Sequence, residues 1–115
     1  MDDCIFCKVA RREIPASVVY EDDTVLAFDD IHPQAPVHTL VIPKTHYAGL
    51  ADAVPDSVLA ALLAVVPTVA GIKGVADSGY RTIINTGPDA GQSVSHLHLH
   101  IIGGTPMGEG MVSPV

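Results

Sequence analysis

Tryptophan is absent from the 115 residues, and aromatic residues together make up 4% of the chain. So little stacking surface argues against a platform for single-stranded nucleic acid. Basic residues are scarce too: 6 Lys and Arg against 13 Asp and Glu leave a formal net charge of -7. A binder of phosphate backbones needs a basic face, so no nucleic-acid partner is expected. Long apolar runs are missing. The longest, Val58 to Val66, stops at Pro67, well short of the ~20 residues that span a bilayer, so no membrane partner is expected. Two cysteines are too few for a disulfide framework. The chain opens Met1-Asp2-Asp3, acidic where a secretory leader would be basic, and the expectation is a cytoplasmic protein. No G-x-x-x-x-G-K-[ST] motif occurs, which excludes P-loop chemistry.

What is present is a hydrophobic fraction of 48%, rich in Ala and Val, over a length that suits one compact domain. Residues 4–12 suit a short helix, broken by Glu13-Ile14-Pro15. Val18 to Tyr20 and Thr24 to Phe28 read as a hairpin around the acidic turn Glu21-Asp22-Asp23. Val37 to Ile42 reads as a third strand. Pro55 to Ala76 suits a long helix, with Asp56 in its first turn and a kink at Pro67. Tyr80 to Asn85 and His96 to Ile102 read as the last two strands, around a turn-rich loop from Thr86 to Ser93. From Thr105 to Val115 the chain reads as irregular. Strands, then one long helix, then strands predict an α+β fold with a five-stranded antiparallel sheet and a short N-terminal helix.

The most informative stretch is His96-Leu97-His98-Leu99-His100. On a strand, successive side chains alternate faces, so the three histidines share one face and Leu97, Leu99 and Ile101 face the core. A solvated face that happens to use histidine is the plain alternative to metal ligation or to phosphoryl or acyl chemistry. Neutral imidazole, with an ordinary pKa of ~6.5, is a nucleophile toward phosphorus, and a second imidazole can donate to a phosphoryl oxygen or a leaving group. In the preceding loop Gly91 permits close backbone approach, and Gln92 and Ser93 offer donors to an anion.

The segment from Asn85 through Gly91-Gln92-Ser93-Val94 and His96-Leu97-His98-Leu99-His100 to Gly103-Gly104 resembles the signature of the histidine triad family. Ile5-Phe6-Cys7-Lys8, Arg12-Glu13-Ile14-Pro15-Ala16, Pro33-Gln34-Ala35-Pro36, His38 and Val41-Ile42-Pro43-Lys44 are similar to its nucleotide-binding branch. The resemblance implies a single histidine triad domain over residues 1–115. It implies a hydrolase of purine nucleoside phosphoramidates, or of related nucleoside monophosphate esters, acting through a covalent nucleotidyl-histidine. His98 matches the nucleophile, and His100 the residue that contacts the phosphate and assists the leaving group. His38, taken alone a core histidine, matches a buried partner that orients the triad through His96. The implied catalytic set is therefore His98, His100, His96 and His38. Asn85, Gly91, Gln92 and Ser93 match the phosphate loop and ribose contacts, and Asp30, otherwise a turn acid, matches the carboxylate that holds ribose hydroxyls. Phe28, Ile31 and Leu40, ordinary core by themselves, match the lining around the base. Purine nucleoside monophosphate derivatives and a second copy of the chain, as a homodimer, are the implied partners.

Cys4-x-x-Cys7 has the spacing of zinc ligands, and equally of a redox or an accidental pair. No strand precedes it, as a thioredoxin-like motif would require. Some members of the wider superfamily resemble this chain in pairing Cys-x-x-Cys with two histidines, which makes Cys4, Cys7, His46 and His96 the candidate ligands of a structural zinc. No cofactor is expected for the chemistry itself. The tail departs from the branch, for it has no aromatic residue to reach a neighbouring subunit. A dinucleoside polyphosphate hydrolase, a metal-dependent hydrolase using the His-x-His-x-His face, and a non-catalytic nucleotide-binding protein are the alternatives.

Overall fold

The computed structural model describes residues 3–110. Five strands, β1 (Val18–Glu21), β2 (Val25–Asp29), β3 (Val37–Pro43), β4 (Tyr80–Ile84) and β5 (Leu99–Gly103), form one antiparallel sheet in the order β1-β2-β3-β5-β4. A short helix, α1 (Ile5–Ala10), precedes the sheet, and α2 (Asp56–Ala64) and α3 (Val66–Ile72) lie between β3 and β4. No helix among the described residues is long and apolar enough to cross a membrane.

The hairpin expectation holds, and its turn has a local cause. The Asp22 carboxylate accepts the backbone N–H groups of Thr24 and Val25, at 2.8 and 2.9 Å, and so closes the turn between β1 and β2. The long helix is present as two joined segments. Pro67 cannot donate to the carbonyl four residues back, and the chain answers by ending α2 at Ala64 and placing Pro67 in the first turn of α3, where that N–H is not needed.

β2 and β3 are buried on both faces. Val25, Ala27 and Val41 pack with Leu62, Val66 and Val69 of the helix pair, and Leu97, Leu99 and Ile101 join them. Leu26, Phe28, Leu40 and Ile42 point the other way, against Phe6 and Val9 of α1. Position parity thus assigns even-numbered residues of β3 and β5 to the α1 face, the face that carries His38 and the triad.

The fifth strand is shorter than the sequence suggests. Pairing begins at Leu99 opposite Val41, so of the three histidines only His100 lies in the ladder. Continuing the register would set Leu97 opposite Pro43, which has no N–H to give. The Leu97 N–H is bonded to the Tyr47 carbonyl instead, at 2.7 Å. The alternation of faces survives: Leu97 is buried in the helix-side core while His96 and His98 are buried against α1. The solvated alternative is therefore not what the fold builds. Past Gly103 the described chain to residue 110 has neither helix nor strand, as expected, and the last part of the tail lies outside the described residues.

Ile101 is wholly buried at the centre of the helix-side core. Ile101→Ala should lower the unfolding free energy by about 2–5 kcal/mol, as deletion of buried methylenes does. Urea denaturation with an unchanged slope is the check.

Candidate active site

The histidine face is organised by hydrogen bonds whose direction is not free. The His98 Nδ1 lies 2.7 Å from the His96 carbonyl. A carbonyl can only accept, so Nδ1 carries the proton and Nε2 keeps its lone pair. On His38, Nδ1 faces the backbone N–H of Gln34 at 3.0 Å, which can only donate. The His38 proton therefore sits on Nε2, from which it is donated over 2.9 Å to Nδ1 of His100. That bond leaves the His100 proton on Nε2. The two rings that line the cavity thus present opposite polarity: His98 a lone pair, His100 an N–H.

The cavity beside them has a volume of about 270 Å³, near the lower end of small-molecule sites. Phe28, Asp30, Ile31, Leu40, Ser93, His98 and His100 line it, as the resemblance implies. Ile5, Phe6, Val9 and Ile14 line it as well, and sequence reasoning gave them no role. A signal for them existed: Ile5 and Val9 stand four apart on a short helix, and nothing else in the chain was assigned to cover the triad face. Phe6 meets His98 edge-on at 5.1 Å between centroids. His32 is exposed at the rim.

Asn85 and Gly91 are not part of this lining; Asn85 borders a neighbouring hollow that His38 and His100 also line. Two expectations, on Gln92 and on His38, need correction. The Gln92 side chain has no donor left for an anion. Its Nε2 donates to the Ala48 and Val94 carbonyls at 2.8 and 3.0 Å, and its Oε1 accepts from Gly87 N–H at 2.9 Å. It ties the loop down. His38 reaches His100 and not His96, because β3 pairs His38 opposite Ile102, next to His100 on the same face.

Burial, with His98 and His38 adding to it, pushes the His100 pKa down to about 4, while Asp30 opposes the shift. The ring stays neutral at physiological pH and acts as a hydrogen-bond donor. Asp30 accepts the His32 N–H through Oδ1 at 2.9 Å, and its Oδ2 lies 3.5 Å from His38 Nε2.

The second cluster joins distant segments. Cys4 and Cys7 come from α1 and its cap, His46 follows β3, and His96 opens the triad, and their ligating atoms all lie within 4.8 Å of one another. Cys7 Sγ is 3.2 Å from His46 Nδ1 and 3.5 Å from His96 Nδ1, and Cys4 Sγ is 3.4 Å from His96 Nδ1. A tetrahedral zinc with bonds of ~2.3 Å to sulfur and ~2.0–2.1 Å to nitrogen has edges of roughly that length. The His96 Nε2–H donates to the Pro43 carbonyl at 2.9 Å, which leaves Nδ1 free as a ligand and supplies its outer partner. The residues fit zinc. Burial, then the neighbouring Cys4, pushes the Cys7 thiol up to about 11, so an ion must displace its proton. Asp30, His38 and His100 also approach one another, but there His38 Nε2 carries a proton and does not offer an ion a lone pair.

The neutral burial of His100 couples to stability. Its folded pKa of about 4 lies below the ordinary 6.5, so in that window the unfolded chain binds more protons. The stabilisation is present above pH 6.5 and is lost as pH falls toward 4. Denaturation between those values should show falling stability, and His100→Asn should flatten part of that slope.

The HIT domain family matches residues 11–107. The chain is 50% identical over 109 residues to Protein HitA of Neisseria gonorrhoeae, covering 93% of this chain and 100% of that one. It is 44% identical over 109 residues to the purine nucleoside phosphoramidase of Escherichia coli K12, covering 93% and 92%. Among solved structures, a HIT family hydrolase from Clostridium thermocellum superposes with a TM-score of 0.92 at 43% identity, covering 97% of this chain and 99% of that one. A covered triad face, an apolar cavity at its edge and these likenesses together place the chain in the HIT domain family.

Proposed function

We propose that the protein is a nucleotidyl hydrolase that cleaves purine nucleoside phosphoramidates through a nucleotidyl intermediate on His98. The observation that carries this reading is the opposite polarity of His98 and His100 on one wall of an apolar cavity. The likeness to the Escherichia coli phosphoramidase supports the substrate class.

In this mechanism the base sits among Phe6, Phe28 and Leu40, and Asp30 takes ribose hydroxyls. The His98 Nε2 lone pair forms a bond to the α-phosphorus as the phosphorus–nitrogen bond to the leaving amine breaks. Positive charge grows on the His98 ring, and the His96 carbonyl held against Nδ1–H stabilises it. His100, neutral, keeps its Nε2–H on the phosphoryl oxygens, and the departing amine takes a proton from solvent. Water then attacks phosphorus and gives up a proton to solvent as the bond from phosphorus to Nε2 breaks, which releases the monophosphate and returns the lone pair to His98. The metal-dependent alternative finds less support, because His96 Nδ1 faces the two cysteines and His100 carries its proton on Nε2, which leaves the triad one free lone pair, on His98 Nε2.

Turnover of an adenosine phosphoramidate tests this. His98→Ala should lose it by several orders of magnitude, as removal of a nucleophile does. His98→Asn should still bind adenosine monophosphate by calorimetry. Near-normal turnover by His98→Ala would reject the covalent route.

We further propose that Cys4, Cys7, His46 and His96 hold a structural zinc. A four-ligand ion keeps no open position for water, and its binding energy goes into folding. About one zinc per chain is expected by elemental analysis. Cys4→Ser with Cys7→Ser should lose the metal and lower the Tm. Reduced wild-type protein prepared without chelators and free of zinc would refute the site.

The homodimer is likewise a proposal. β4 is an edge strand, and Leu63 and Ile72 stand 56% exposed on the helix pair. An open sheet edge and exposed apolar side chains on the helix pair suit a closed two-fold contact. Light scattering should give twice the chain mass; a monomer at every concentration would reject it.

A further inference from the structure

Building on the zinc reading above, we infer that the four-ligand cluster also positions the nucleophile: through His96 it sets the main-chain carbonyl that decides which nitrogen of His98 is reactive. His98 can attack phosphorus with Nε2 only while its proton stays on Nδ1. That proton is held by one acceptor, the His96 carbonyl, at 2.7 Å.

What fixes this carbonyl is not the sheet, for the β5 ladder starts at Leu99. The peptide that carries it is held at its far end, where the Leu97 N–H is bonded to the carbonyl of Tyr47, the residue after the ligand His46. At its near end the His96 side chain holds it. Its ring is fully buried and is gripped at both nitrogens, Nε2 by the Pro43 carbonyl and Nδ1 by the two sulfurs. An ion bound to Nδ1 locks that ring, and with it the plane of the peptide that serves His98. A second path runs through α1. Phe6 sits between the ligands Cys4 and Cys7, and its ring lies edge-on to His96 at 6.0 Å and to His98 at 5.1 Å. The helix that the sulfurs anchor thus also presses on the nucleophile. Without the ion, the His96 ring and the His46–Tyr47 segment both lose an anchor, the peptide between them gains freedom to turn, and His98 gains the tautomer protonated on Nε2, which has no lone pair to offer phosphorus. His96 is by this account a positioning residue, acting through His98.

The test is nitrogen NMR of the imidazoles in the full chain, zinc-loaded and then chelator-stripped. Loaded protein should show His98 as a single Nδ1–H tautomer. Stripping should move its two ring nitrogens toward one another, as exchange between tautomers requires. Formation of nucleotidyl-histidine from an adenosine phosphoramidate should slow by about 10–100-fold, the scale of losing an outer-shell partner. Adenosine monophosphate Kd should change by less than about threefold, because the loss falls on the chemical step. His46→Ala should weaken zinc from outside the triad and reproduce these changes, and His46→Cys, which restores a ligand, should reverse them. Zinc that binds while the His98 nitrogens ignore its removal would overturn the coupling and leave the zinc site standing. A chain that binds no zinc would overturn both. Tautomer changes without phosphoramidate turnover would uphold the coupling and reject the substrate reading.

Discussion

A backbone carbonyl can only accept a hydrogen bond and a backbone N–H can only donate one, and the histidine face is built on that constraint. Three main-chain groups, the carbonyls of His96 and Pro43 and the N–H of Gln34, each hold one imidazole nitrogen. Together with the His38–His100 bond they assign a tautomer to four rings. Histidine in water exchanges its proton between nitrogens freely. Here the fold removes that freedom, so a lone pair and an N–H stand beside one cavity with no rearrangement needed at the moment of reaction.

The same burial that orders the rings keeps two of them, His96 and His100, neutral. The sheet is covered on one face by α2 and α3 and on the other by α1, so the triad lies in a second, smaller core. Desolvation holds His96 and His100 below the ordinary histidine range. An imidazolium at either position would lose its function as acceptor or ligand, and would repel its neighbours. The α1 helix is short, and its side chains do three things at once: Phe6 and Val9 close the core, Ile5 and Phe6 wall the cavity, and Cys7 joins the metal-ligating cluster. A helix of one and a half turns has little stability of its own. Its place is fixed by packing and by the cluster.

Much of this was legible in the residues. The alternation of His96, His98 and His100 with Leu97 and Leu99 placed three imidazoles on one face, and the structure keeps that alternation even where the ladder has stopped. Cys4, Cys7, His46 and His96 converge as the resemblance to the wider superfamily implied. What stayed illegible depended on partners distant in sequence. That Pro43 would cut β5 short follows only from the register of β3 against β5. That Gln92 would be spent on Gly87, Ala48 and Val94 required the neighbouring loop. His38 was expected to reach His96, and only the pairing of His38 opposite Ile102 brings it to His100. The Phe6 wall of the cavity was hidden because an apolar residue on a short helix reads as core, which Phe6 also is.

The claim on which the functional account turns is that a nucleotidyl group passes through Nε2 of His98. Rapid quenching of the protein with a purine nucleoside phosphoramidate, followed by intact-mass measurement and peptide mapping, tests it directly. The account predicts a transient species heavier by one nucleotidyl group, a nucleoside monophosphate less water, with the group on His98 and absent from His38, His96 and His100. Steady turnover with no adduct at any quench time, or an adduct carried by another residue, would contradict it.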